Sequence, residues 1–186
     1  MPLIPTLTTE RLLLRPFTPG DAPAVHEILR DREVARTTAA IPHPYPDGAA
    51  EGWIRSHAAA HDAGEAVVLA IVPRPEGPLA GSVELRMEPA HRRGELGFWL
   101  GSAYWGRGYA TEAVDALVRW GIHERGLHRV QAVHMSRNPA SGAVLRKAGL
   151  RHEGTLRGHL PRWGVLEDVE VWAVLEDELE GAGNRE

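Results

Sequence analysis

The sequence predicts an α+β fold, and three observations carry that prediction. Two apolar runs read as strands joined by a proline- and glycine-rich turn, one long stretch is amphipathic at helical spacing, and a strand, a helix and a strand follow one another late in the chain as a βαβ unit. The 186 residues suit one domain with a substantial core, and 43% hydrophobic with 25% charged residues is ordinary globular composition. A single domain is expected over residues 1–178, with a flexible polar tail over 179–186 that closes on EGAGNRE.

Leu7 to Arg15 reads as a strand closed by Pro16, and Thr18 to Leu29 as a helix with a Thr/Asp-rich start. IPHPYPDG, Ile41 to Gly48, is a proline-interrupted loop of the kind that carries function, and EGWIRSHAAAHDAG continues as a helix until Gly64. Ala66 to Val72 and Leu79 to Glu88 form a hairpin through PRPEGP. Gly94 to Gly101 is a further strand, and Tyr109 to Arg125 a helix that puts Ala110, Ala113, Val114, Leu117 and Val118 on one face. Val130 to Met135 is a strand, Pro139 to Lys147 a short helix ended by Gly149, and Arg151 to Leu156 with Val169 to Leu175 a closing strand pair.

Composition excludes several classes of function. A formal charge of −4 without a basic block gives no electrostatic footprint for nucleic acid or a membrane surface. The chain has no cysteine, so disulfides and thiolate chemistry are impossible and secretion gains no support. The opening MPLIPTLTTERLLLRP carries prolines and charges where a signal peptide would have an apolar core, so the expected location is cytoplasmic. HAAAH, His57 to His61, has metal-like spacing but lacks the HExxH glutamate and a third ligand, so it reads as ordinary helix surface and no metal is expected. His134 reads as a satisfied core or edge histidine.

Residues 105–113, WGRGYATEA, stand between a strand and a helix. Two glycines there allow positive φ and close approach of a ligand, and the unpaired N–H groups at the helix start attract anions. The dinucleotide fingerprint needs a third glycine where this chain has Thr111, and a P-loop needs the Gly-Lys-Ser/Thr that is missing. What remains is a pyrophosphate cradle built from the main chain of Gly106, Arg107, Gly108, Tyr109, Ala110 and Thr111. At the second helix start, NPAS, Asn138 is a good N-cap and Pro139 a good first residue whether or not a ligand binds.

The cradle is similar to the pyrophosphate loop of the GNAT superfamily of N-acetyltransferases. Gly108 and Ala110 match the last two positions of its Arg/Gln-x-x-Gly-x-Gly/Ala pattern, and Trp105 replaces the Arg or Gln. TERLLLRP, IPHPYP, GELGFWL, NPASGAVLRKAGL, EGTLR and Asp168 extend the likeness over most of the chain, toward the branch of ribosomal-protein N-terminal acetyltransferases. The resemblance implies a twisted, mostly antiparallel mixed sheet with helices on both faces and a splayed strand pair that admits acetyl-CoA, used as cosubstrate. It implies that the main chain of Phe98, Trp99 and Leu100 bonds the pantetheine arm, that Asn138 and Ser141 meet it as well, and that Ser141 donates to the departing thiolate.

A base must take a proton from the acceptor ammonium before attack. Glu95 is the leading candidate, and His159 the alternative because the GHLPRWG loop has no carboxylate. The acceptor site is expected from IPHPYPDG, the Trp53 helix and GHLPRWG. Acetyl transfer to a primary amine, on a protein N-terminus or a small molecule, leads the functional readings. A catalytically idle acyl-CoA-binding or regulatory module stands second and a nucleotide-binding regulatory domain third. Acetyl-CoA and the amine are the expected partners, a homodimer is a further expectation, and neither nucleic acid nor membrane is expected.

Overall fold

The computed structural model describes residues 3–182 of the chain. Its centre is one eight-stranded sheet in the order β1-β2-β3-β4-β5-β6-β8-β7. The strands are β1 (Leu7–Thr8), β2 (Leu12–Pro16), β3 (Ala66–Pro73), β4 (Gly81–Glu88), β5 (Arg93–Leu100), β6 (Arg129–Met135), β7 (Arg151–Arg162) and β8 (Val165–Leu175). All neighbours are antiparallel except β5 and β6, and that one parallel pair is made by the βαβ unit seen in the sequence.

The helices are α1 (Ala22–Leu29), α2 (Arg32–Arg36), α3 (Ala49–Asp62), α4 (Tyr109–Arg125), α5 (Pro139–Lys147) and α6 (Glu176–Ala182). The predicted stripe of α4 is buried in full, together with Gly121 and Ile122. It packs with α5 against Val67, Leu69, Leu85 and Val130. Ala70 belongs to a second cluster with Val25, Ile54 and Leu79, where α1 and α3 cover the sheet. Because both faces are covered, β3 is a nearly continuous buried run and AVVLAIV lacks alternation. Each Leu or Val so buried contributes roughly 1.5–3 kcal/mol.

Several expectations are corrected. Leu7 to Arg15 is not one strand but a tight hairpin, because Thr9 accepts the Leu12 N–H through its hydroxyl and turns the chain between β1 and β2. Thr18 to Leu29 splits into a 3-10 turn, Pro19–Asp21, and α1, and Asp21 is held by a two-bond ion pair with Arg15. GHLPRWG is not a loop, since β7 continues through Arg162 after a register shift between Leu156 and Leu160. The Asp168 carboxylate accepts the Gly158 N–H at 2.7 Å and stabilises that bulge.

Part of the expected tail is helical, since α6 runs to Ala182 and Leu179 is buried in the main core. The rest of the expected tail, 183–186, lies outside the described residues. His57 and His61 are not helix surface either, for both are buried. The His57 ring stacks edgewise on Trp53 at 4.4 Å and on Phe17 at 5.5 Å. The apolar face of α3 is therefore wider than the helical periodicity of its aliphatic residues alone suggests.

Candidate active site

The parallel pairing of β5 with β6 covers only Arg93–Glu95 against Arg129–Gln131. Beyond Glu95 the strands part, while β5 stays paired to β4 as far as Leu100. Main-chain groups alternate along a strand, and Gly101 donates its N–H to Ala80 on the β4 side. Phe98 and Leu100 consequently present N–H and C=O to the gap, and Trp99 presents them to β4. The Leu100 carbonyl already accepts the Trp105 indole N–H at 2.9 Å. Of the three expected pantetheine contacts, Phe98 is thus the best placed for strand-like bonding. Trp105, the departure from the family pattern, ties the loop back to the end of β5.

At the mouth of this gap α4 begins. Gly106 (φ 74°) and Gly108 (φ 80°) both lie in the left-handed region, which turns successive N–H groups toward the same side at the positive end of the helix dipole. The Arg11 guanidinium lies against Gly108, donates to the Arg107 carbonyl at 2.9 Å and pairs with Glu112 at 2.7 Å. Partial burial pushes the Glu112 carboxyl up, but bonds from Thr9 and from the main chain and side chain of Arg11 outweigh it and hold the group below its ordinary value. TERLLLRP therefore meets the cradle physically, since its Thr9 and Arg11 latch the first turn of α4. Donors, dipole and guanidinium all suit a pyrophosphate, and the chemistry of the residues fits acetyl-CoA. Gly108→Val, which adds a β-branched side chain at positive φ, is expected to abolish the thermal stabilisation that acetyl-CoA gives the wild type, about 2.7 kcal/mol at a hundredfold excess over Kd. A folded variant with a normal thermal shift would remove the cradle from cofactor binding.

A cavity of about 420 Å³ opens where the strands part. Glu95, Phe98, Trp99 and Ser141 line it, and so do Ile41, Tyr45, Trp53 and Leu160 from the three segments expected to form the acceptor site. Leu100 is buried beside it rather than lining it. His159 stands exposed on the bulged part of β7 and is not among the lining residues. The bulge turns the neighbouring Leu160 inward instead. His134 is buried at the cavity edge with both ring nitrogens engaged, one with the Met135 carbonyl and the other accepting the Trp172 indole N–H.

Ser141 sits in the first turn of α5. Asn138 caps that helix by accepting the Ser141 N–H, and its amide also donates to the Ser141 hydroxyl oxygen at 2.9 Å. Because the serine oxygen accepts this bond, its own proton stays available for another acceptor. One asparagine thus combines helix capping with orientation of the Ser141 hydroxyl.

Sequence reasoning missed Glu84. It stands on β4 opposite Gly97, lines the cavity, and pairs with Arg86 at 3.3 Å. Burial pushes its carboxyl above the usual range, against the Arg86 charge and with that of Glu95. A side chain at 97 would collide with the Glu84 carboxylate, so the second glycine of GELGFWL leaves room for it. The alternating polar residues of SVELRME were the available signal, but alternation alone does not say which face meets a cavity. Glu95 is more exposed and lies 3.7 Å from Arg86. The Thr37–Ala40 segment after α2, a helix not foreseen, also lines the cavity.

Comparison with known proteins agrees with this geometry. The acetyltransferase (GNAT) domain family matches residues 11–151. An uncharacterized N-acetyltransferase, p20, of Bacillus licheniformis is 30% identical over 178 residues, covering 95% of this chain and 99% of its own. A GNAT-family acetyltransferase structure from Bacillus anthracis superposes with a TM-score of 0.83 at 26% identity, over 92% of this chain and 99% of that one. The ribosomal L7/L12 alpha-N-protein acetyltransferase RimL, in complex with coenzyme A, shares the fold with a TM-score of 0.83 at 21% identity, over 94% and 98%. Among the described residues no cluster of three or more His, Asp or Glu could hold a metal ion. The chain belongs to the GNAT acetyltransferase family, and it is an acyltransferase that uses acetyl-CoA.

Proposed function

We propose that this enzyme transfers the acetyl group of acetyl-CoA to a primary amine, with Glu84 as the base and Ser141 as the donor to sulfur. One observation carries the reading: a single cavity, opening at the strand gap, is lined by both an oriented hydroxyl and a half-buried carboxylate. Glu84 takes the proton from the acceptor ammonium, directly or through one water. The amine nitrogen then attacks the thioester carbonyl, the carbon–sulfur bond breaks as the sulfur receives the Ser141 proton, and the second proton that the nitrogen loses returns through water to the Ser141 oxygen. Glu95, Arg86 and Gln131 adjust the charge around Glu84, and Phe98 together with Gly106–Thr111 and Asn138 holds the cosubstrate. His159 has no part in this reading. Positioning of amine and thioester in one cleft supplies most of the rate enhancement.

The resemblance to ribosomal-protein acetyltransferases supports a protein N-terminus as one acceptor class, and a small-molecule amine is the other. Acetyl-CoA is made and consumed inside cells, which supports a cytoplasmic site of action. The exposed Leu156, Trp163, Val165 and Leu166 on the β7–β8 hairpin support a homodimer, and a monomeric mass by light scattering would count against it. The deciding experiment measures free CoA thiol release against a panel of peptides and amines. Binding of acetyl-CoA without turnover of any of them would favour an idle acyl-CoA-binding module. Ser141→Ala is expected to lower kcat by at most about 10²–10³ while acetyl-CoA affinity changes only a few fold, because the donor acts on charge that develops in the transition state. An unchanged kcat with chemistry rate-limiting would remove Ser141 from the mechanism.

A further inference from the structure

We infer that the acceptor is a small monoamine on an apolar body large enough to meet aromatic rings, and neither a polyamine nor a peptide N-terminus. This rests on the reading above and concerns the half of the cavity that the cosubstrate does not use. The charged side chains of the cavity wall all come from one place: Glu84 and Arg86 on β4 and Glu95 on β5. Among the described lining residues the opposite wall has no carboxylate. One cationic head is therefore matched at the β4–β5 end, and a second cation on the same molecule meets no counter-charge.

The opposite wall is apolar and fixed. Trp53 of this wall meets Trp99, four residues along β5 from Glu95, with ring centroids 6.1 Å apart, and it is held from behind by Phe17 at 5.0 Å and by His57. Tyr45 and Ile41 complete it from the proline-rich loop. Both threonine hydroxyls of this wall are already engaged. The Thr37 hydroxyl donates to the Val34 carbonyl at 2.8 Å and the Thr38 hydroxyl to the Ala35 carbonyl at 3.0 Å. Arg162, buried at the end of β7, donates to the carbonyls of Ala35 and Ile41 and so fastens both ends of the segment that forms the wall. A peptide entering amine first would lose hydration from its amides and find few partners there, whereas an alkyl or aryl group gains from burial.

The test measures kcat/KM for CoA release with 2-phenylethylamine, the n-alkylamines from propyl to hexyl, spermidine, and short peptides beginning with Ser and with Ala. Phenylethylamine and hexylamine are expected to exceed spermidine and both peptides at least about tenfold, and the alkyl series to rise about fourfold per methylene. Trp53→Leu should remove most of the phenylethylamine preference through KM. Retention of the acetyl-CoA thermal shift reports that this variant folds, and Tyr45→Ala repeats the test outside the packed helix. Spermidine or a peptide ahead of the apolar amines, a flat alkyl series, or an unchanged preference in both variants overturns the inference and leaves the proposed activity standing. Acetyl-CoA binding with no amine acetylated overturns the proposed activity itself, and the inference with it.

Discussion

Glu84→Gln lowers kcat by about 10²–10⁴ at neutral pH, the range that a positioned acid or base contributes, while acetyl-CoA affinity stays within a few fold. Glutamine keeps the size and the hydrogen bonding of the side chain and loses only its basicity. The pH dependence carries the diagnosis. Burial raises the Glu84 carboxyl, so the acid limb of the wild-type rate profile lies above the ordinary glutamate value, and activity falls as pH drops through it and Glu84 becomes protonated. In the variant that limb is lost and turnover recovers at alkaline pH, where the amine deprotonates itself. Glu95→Gln, at the more exposed site, has a much smaller effect. Gly97→Ala supplies an independent check, since its Cβ would stand 2.8 Å from the Glu84 carboxylate oxygen and displace it. Wild-type kcat in Glu84→Gln, with chemistry shown to limit, assigns the base elsewhere.

His57→Leu removes a large part of the pH dependence of stability in the mildly acid range. The His57 ring is buried among Phe17 and Trp53 with neither nitrogen hydrogen-bonded, and desolvation lowers its pKa from 6.5 to about 4. The sign follows from proton counting. Between these two values the unfolded chain binds a proton that the native state does not, so native stability is complete above the unfolded pKa and falls as pH drops toward the folded one. The loss amounts to roughly 3 kcal/mol over that window, at about 1.4 kcal/mol for each pKa unit. Urea denaturation of both proteins at several pH values should show their stability difference moving in favour of leucine by that amount between neutral pH and pH 4. At neutral pH leucine should be no worse than histidine, since it buries no unpaired nitrogen. A difference that stays constant across pH would mean that His57 titrates as an ordinary histidine.

Local chemistry explains what was legible in the chain. The apolar spacing of α4, its left-handed glycines at 106 and 108, the Asn138 cap with Pro139 after it, and the β3–β4 turn each depend on residues a few positions apart. The sequence by itself therefore determined those elements, the βαβ unit and the glycine-turned start of α4 that is proposed as the pyrophosphate cradle. Ser141 was legible for the same reason, since the helix that orients it starts three residues earlier. The base was not. Glu84 and Glu95 look alike in a sequence, and only the pairing of Glu84 with Gly97 and its burial separate them. The segment of His159 reads as a loop, but a bulge, supported by Asp168 ten residues away on the partner strand, extends β7 through its proline and leaves His159 outside the cavity lining. HAAAH misled for a related reason, because two histidines look polar until Phe17 closes over one of them. Strand pairing, strand separation and burial are set by contacts between distant segments, so tertiary structure alone decided where the cavity opens, which carboxylate it desolvates and which walls remain apolar.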